Sequence, residues 1–143
     1  MDWDQYYMSV AQIAGQNSKC LSRRVGAVLV KEKSIISTGY NGSARGTLNC
    51  GMEVECLKDL YNEAHYTSYE HCPAVHAEQN ALLQCKDVFE IETAYITASP
   101  CVVCTRLLLN TSCKKIVFIE KYPHLQAENA WKLSGRLWEQ MRI

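Results

Sequence analysis

The sequence predicts an α/β fold, a sheet carrying helices on both faces. Three observations lead there. Two apolar runs, "VGAVLV" (25–30) and "SIISTGY" (34–40), are joined by the short charged link "KEK" and read as an antiparallel hairpin. The second half alternates strand and helix, the pattern of α/β units. The first sixteen residues place Trp3, Tyr6, Tyr7, Val10, Ile13 and Ala14 at helical spacing, which predicts an amphipathic opening helix over 3–16 that packs through them.

Beyond the hairpin the pattern dissolves at about 42–72 into a polar insertion bearing Gly, Cys and His, with at most one short helix near 53–62. A loop of that length inside a compact domain is usually functional or tied down. Ala and Leu in "VHAEQNALL" (75–83) predict a helix over 76–86. "TAYITAS" (93–99) and "KKIVFIE" (114–120) are strands around a helix over 102–111, and a helical region over 124–141 closes the chain. Trp131, Leu133, Leu137 and Trp138 are expected to be packing residues of that last helix.

At 143 residues the chain is long enough for a proper core and is expected to form one domain over 1–143. Fifteen basic residues balance fifteen acidic ones. Gripping a nucleic-acid backbone usually takes a basic excess, so a small-molecule substrate is favoured over a polymer. The N-terminus has no apolar signal core, and no run approaches the roughly 18 apolar residues of a membrane span. A cytoplasmic protein is expected, or one in the host cytoplasm if its source is viral. In that reducing compartment eight cysteines point to metal ligation or catalysis before disulfides.

The chemistry concentrates in two segments. In "VHAEQNALL", His76 and Glu78 occupy the first turn of the predicted helix. The glutamate suits the positive end of a helix dipole, whereas a charged histidine gains nothing there. "SPCVVC" (99–104) supplies the reason, with Pro100 at a helix start and Cys101 and Cys104 three apart on one helix face. Two thiolates and one imidazole are three zinc ligands, and a three-ligand site keeps a position for water where a structural site would be closed by four. Glu78, beside the metal without binding it, is then the group that moves protons. Alone, Cys-x-x-Cys could be a redox pair and Glu78 a helix cap. Together, His-x-Glu and Pro-Cys-x-x-Cys form a pairing similar to that of the zinc-dependent nucleobase deaminases.

The chain further resembles the deoxycytidylate (dCMP) deaminases of phages, bacteria and viruses, within the cytidine deaminase-like superfamily. The resemblance runs from about Lys19 to Tyr122 and is carried by "SKCLSRRVGAVLV", "IISTGYNGS", "VHAEQNALL", "SPCVVC" and "KKIVFIEKYP". It implies a three-layer fold, a central mixed five-stranded sheet flanked by helices. It also implies hydrolysis of dCMP to dUMP and ammonia for dTTP supply, with Zn2+ held by His76, Cys101 and Cys104 and Glu78 as the proton shuttle. Asn41 matches the family residue that contacts the deoxyribose 3′-hydroxyl, and backbone near Ala77 and Ser99 would read the pyrimidine edge. One of Arg23 and Arg24 is expected to take the phosphate, because guanidinium binds phosphate oxygens in pairs. Tyr122 matches a tyrosine at the phosphate end.

The segment Tyr40, Asn41 and Gly42 corresponds to the family's effector region, which implies activation by dCTP with Mg2+, inhibition by dTTP and a homohexamer. Some family members hold the insertion with a second zinc. The candidate ligands here are Cys20, Cys50, His71 and Cys72, with His65 as the alternative to His71. Cys85 and Cys113 are read as small core residues. The competing readings are a deaminase that accepts dCTP as well as dCMP, a relative acting on cytidine, on adenosine in tRNA or on guanine, and a catalytically silent zinc-stabilised binding module.

Overall fold

The computed structural model describes residues 1–20, 23–47 and 74–142. The first helix, α1 (Trp3–Gly15), opens with a reciprocal cap. The Gln5 N–H donates to the Asp2 carboxylate at 2.8 Å, and the Asp2 N–H donates to the Gln5 side chain at 3.0 Å. The predicted hairpin forms as β1 (Gly26–Lys31) and β2 (Ser34–Tyr40). A two-stranded ribbon, β3 (Gly42–Ser43) with β4 (Ala74–Val75), leads into α2 (Ala77–Gln84). Then come a single 3-10 turn (Val88–Glu90), β5 (Thr93–Ala98), α3 (Val102–Leu109), β6 (Lys115–Glu120), α4 (Leu125–Leu133) and β7 (Leu137–Gln140).

The sheet is mixed and five-stranded in the order β2-β1-β5-β6-β7, with β1 antiparallel to both neighbours and β5, β6 and β7 parallel. Alternation along each strand divides the core. Val28, Val30, Tyr95 and Val117 face α1, where Tyr7, Met8 and Ala11 cover them. Ala27, Leu29, Ala94, Ile96, Ile116 and Phe118 face the other way, toward Ala77 and Ala81 of α2, Leu108 of α3 and Trp131 of α4. Among the described residues three layers result, one helix on one face and three on the other. No helix among the described residues is long and apolar enough to cross a membrane.

Two expectations are corrected. The first helix buries Tyr7, Met8, Ala11 and Gly15, whereas Trp3, Tyr6 and Ile13 are exposed. Small residues decide the face. A methyl added at Gly26 would overlap the Ala11 carbonyl oxygen and crowd the Gly15 nitrogen, so α1 approaches β1 at Ala11 and Gly15, and Tyr7 and Met8 of that same face cover the strands. Trp3, Tyr6 and Tyr7 instead pack on one another, with ring centroids 5.2–5.9 Å apart.

The C-terminal helix is also shorter than the sequence reading had it. It ends at Leu133, and Gly135, in the left-handed region at φ +82°, turns the chain into β7. Trp131 is fully buried and donates its indole N–H to the Leu137 carbonyl at 2.7 Å, while Trp138 packs edge-on against Phe118. Leu133 and Leu137 are exposed, so two of the four expected packing residues do not pack. Of the cysteines read as core residues, Cys113 is buried and Cys85 half-buried. The short helix near 53–62 and most of the 42–72 insertion lie outside the described residues.

Tyr95 ties α1 to the sheet, donating its hydroxyl to the Asp4 carboxylate at 2.5 Å. Burial and that carboxylate push its pKa up. A raised native pKa favours the folded state fully below the unfolded value near 10, and the advantage fades as pH rises through the native value. Tyr95→Phe is therefore expected to cost about 1–2 kcal/mol at pH 8 and less at pH 11, read from denaturant midpoints. A cost that grows with pH would contradict this.

Candidate active site

Two helix N-termini meet above the carboxyl ends of the parallel strands, where α/β proteins place ligands. His76 is the N-cap of α2, with its backbone N–H donating to the Gln79 side chain at 2.8 Å. Cys101 is the N-cap of α3, and its sulfur accepts from the Cys104 N–H at 3.5 Å. The His76 Nδ1 lies 3.1 Å from the Cys104 sulfur and 3.6 Å from the Cys101 sulfur. The three ligand atoms fall within 4.8 Å of one another, and both cysteines are buried.

The donor set fits zinc. The Cys101 thiol is driven well below its ordinary range by its hydrogen bond with Cys104, against the opposing effect of burial, with His76 assisting. Cys104 is pushed up by the same hydrogen bond, by burial and by Glu78. The opposed shifts show that one thiolate is favoured beside the other thiol, and a bound cation would favour the thiolate form of both. Burial pulls the pKa of His76 down, but Cys101 and Glu78 outweigh it and the net shift is upward.

Glu78 is 5 % exposed. Burial raises its carboxyl pKa, with His76 and Arg23 opposing and Cys101 adding to the rise. A buried carboxyl that acts on the Cys104 thiol, yet lies outside the three-atom cluster, can hold a proton beside a bound metal.

The helix carrying His76 and Glu78 is seated tightly on the sheet. Ala77 and Ala81 are fully buried over Gly39, where an added methyl would overlap the α2 backbone. The Ser37 hydroxyl donates to the Ala81 carbonyl at 2.5 Å. Asn80 and Gln84 donate to the carbonyls of Tyr40 and Thr38 along the free edge of β2, at 2.8 and 3.0 Å. Gly39→Ala must lift α2, and is expected to cost about 2–4 kcal/mol of stability and to lower turnover with it. Wild-type stability and turnover in this variant would show the contact to be soft.

The substrate candidates divide. Ser99 is buried in the β5–α3 connection, its N–H donating to the Glu120 carbonyl at 2.8 Å and its hydroxyl accepting from the Tyr122 N–H at 2.9 Å. The Arg23 guanidinium stacks 4.2 Å above the Tyr122 ring, whose hydroxyl donates to Glu120 at 2.8 Å. Arg23 also acts electrostatically on His76 and Glu78. Arg23, Arg24 and Tyr122 share a pocket of about 490 Å³ with Gln16, which caps the end of α1, and Glu120 of β6.

Asn41 is 8 % exposed, and its carboxamide is occupied by main chain: Oδ1 accepts from the Val25 N–H at 2.8 Å and Nδ2 donates to the Arg23 carbonyl at 3.0 Å. Tyr40 is exposed at the end of β2, and Gly42 pairs with Val75 beside His76. Cys20 is half-buried and in no disulfide. Cys50, His65, His71 and Cys72 lie outside the described residues.

Residues 1–120 match the sequence profile of the cytidine and deoxycytidylate deaminase zinc-binding region. The chain belongs to this deaminase family. A deoxycytidylate deaminase of Mycobacterium phage D29 is 37 % identical over 123 residues, which cover 82 % of this chain and 94 % of the phage protein. A deoxycytidylate deaminase of Saccharomyces cerevisiae is 36 % identical over 124 residues, 84 % of this chain and 38 % of the yeast protein. This chain therefore spans nearly all of the phage relative and well under half of the yeast one. Among solved structures, the dCMP deaminase of cyanophage S-TIM5 in complex with dCMP and dUMP superposes with a TM-score of 0.77 at 27 % identity, over 96 % of this chain and 95 % of that one.

Against this deaminase fold, one residue at the site carried no assigned role in the sequence reading. His124, at the N-cap of α4, feels Cys101, Arg23 and His76, and burial lowers its pKa. It lies four residues beyond the family match, in no motif, and nothing in its local sequence signals the approach.

Proposed function

We propose that the protein is a zinc-dependent deaminase that hydrolyses dCMP to dUMP and ammonia. The observation that carries this reading is the cluster of half-buried His76 with buried Cys101 and Cys104, and buried Glu78 against it, in a chain whose relatives include deoxycytidylate deaminases from phage and yeast.

His76, Cys101 and Cys104 would hold the zinc. When bound, the metal supplies Lewis-acid activation of water at neutral pH. Glu78 would take a proton from the attacking water and deliver it to N3 of the cytosine ring, which makes C4 electrophilic. The water oxygen bonds to C4, Glu78 takes the remaining proton of that oxygen and passes it to the exocyclic nitrogen, the C4–N bond breaks, and ammonia leaves with the C4 carbonyl of dUMP formed. The raised pKa of Glu78 suits a group that must both take and give a proton near neutrality. Main chain at Ala77 and Ser99 orients the pyrimidine. Arg23, with Arg24 at the pocket mouth and Tyr122 beneath its guanidinium, receives the phosphate.

The test is a substrate panel scored by kcat/KM. dCMP is expected to lead, with dCTP, cytidine and guanine well behind it. Comparable rates on dCTP would support the looser phosphate specificity instead, and turnover of another base alone would overturn the assignment.

The finer reading is a homohexamer working in the cytoplasm, activated by dCTP with Mg2+ and inhibited by dTTP through Tyr40, Asn41 and Gly42. Its support is the family resemblance of "TGYNG". A velocity curve on dCMP that neither effector moves would contradict it. A second, closed zinc on Cys20, Cys50, Cys72 and His71 or His65 belongs to the same reading. It requires near two zinc per chain by metal analysis, and a value near one would exclude it.

A further inference from the structure

We infer that Gln79 is a positioning residue for the metal ligand His76, and that its side-chain carbonyl sets how readily the site takes zinc. The Gln79 Oε1 accepts from the His76 main-chain N–H at 2.8 Å. At a helix start the N-cap side chain commonly serves the first N–H groups, and a Gln or Glu three residues on returns a bond to the N-cap N–H. In α2 the N-cap is His76, and its Nδ1 is turned to the sulfurs of Cys104 and Cys101, at 3.1 and 3.6 Å. In α3 cap and ligand are one group, because the Cys101 sulfur itself accepts from the Cys104 N–H at 3.5 Å. In α2 the two duties are divided, with His76 facing the metal site and Gln79 holding the main chain.

Where the Gln79 bond acts decides its effect. It fixes the peptide between Val75 and His76, and with it the φ of −71° at which His76 presents its imidazole. The His76 carbonyl is held separately, accepting from the Asn80 N–H at 2.9 Å as the first turn of α2 closes. Ahead of His76 the chain is steadied by the β3–β4 ribbon, two residues on each strand, in which Val75 pairs with Gly42. So short a ribbon is a weak restraint. Gln79 supplies the firmer one. It is half-buried and lines an apolar depression with Val75, Leu82, Leu83 and Leu107, where fewer waters compete for its amide. His76 is thereby aimed before the metal arrives, and binding need not order it. The inference rests on the zinc site of the proposed function.

The experiment measures the zinc Kd by competition with a chromogenic chelator, and the melting temperature with and without zinc, in the wild type, Q79E and Q79L. Q79E keeps an acceptor at the same reach. Q79L keeps the bulk among apolar neighbours and removes the acceptor, and Q79A takes its place if leucine is not accommodated. Q79L is expected to bind zinc on the order of tenfold to a hundredfold more weakly, the range for lost support of a metal ligand. Q79E should stay within about threefold of the wild type, since glutamate fills the same position of a capping box. Q79L should also lose more melting temperature when zinc-loaded than when zinc-free.

A bond that only stabilised the helix would lower both melting temperatures equally and leave the Kd unmoved, and that result would overturn the inference. So would a Q79E variant as weak for zinc as Q79L. A wild type that takes up no zinc would overturn the metal site and the proposed function, and this inference with them.

Discussion

Glu78→Gln is expected to lower kcat on dCMP by about 100- to 10,000-fold, the range typical of a lost general acid–base, while fold and zinc content stay as in the wild type. Glutamine matches the carboxyl in shape and can still hydrogen-bond, but it cannot give up or take on a proton near neutrality. Burial raises the pKa of Glu78 by disfavouring its charged form, so a neutral side chain of the same shape pays no added desolvation cost there. The three ligand atoms cluster without it. Loss of zinc with the substitution would make Glu78 a ligand. Turnover within about tenfold of wild type would assign the proton to another group, with His124 the nearest candidate by its electrostatic reach to Cys101 and His76.

Removal of the metal is expected to have the largest effect of all. Exhaustive chelation should take turnover to background, and stoichiometric Zn2+ should restore it. The chain without metal should also melt lower, since a ligand bound only by the native state at about a thousand times its Kd contributes roughly 4 kcal/mol. The physical reason lies in the ligands. Cys101 and Cys104 are 6 % and 0 % exposed, and their pKa values are driven in opposite directions by their mutual hydrogen bond, which a bound cation would relieve. Cys104→Ser, at a fully buried position, should reproduce both losses and resist rescue by added zinc. Chelated protein that keeps its rate would contradict the assignment of His76, Cys101 and Cys104 as the metal site.

What could be read in advance, and what could not, follows from the range of the interactions. Strand alternation in β1, β5 and β6 is local, and so is the pairing of a histidine and two cysteines with helix starts. Those readings needed no knowledge of packing. The buried face of α1 depends instead on Gly26, in a different element, and a rule that counts apolar residues therefore chose Trp3 and Ile13 over Ala11 and Gly15. The end of α4 was within reach, because Ser134-Gly135 is a helix stop signal in its own right. The apolar residues beyond it read equally well as helix or strand, and only pairing with β6 separates the two. His124 and the commitment of Asn41 to Arg23 and Val25 depend on loops converging across the sheet end. No spacing rule reports such convergence.

One progress curve tests the deaminase assignment most simply. Purified, zinc-loaded protein is mixed with dCMP in the presence of dCTP and Mg2+, and the cytosine absorbance band is followed in the ultraviolet. Decay of that band, with dUMP and ammonia formed in equal amounts, is the result the account predicts. An unchanged spectrum from protein shown to carry zinc would contradict it and direct the search to another base or to a binding role for the same fold.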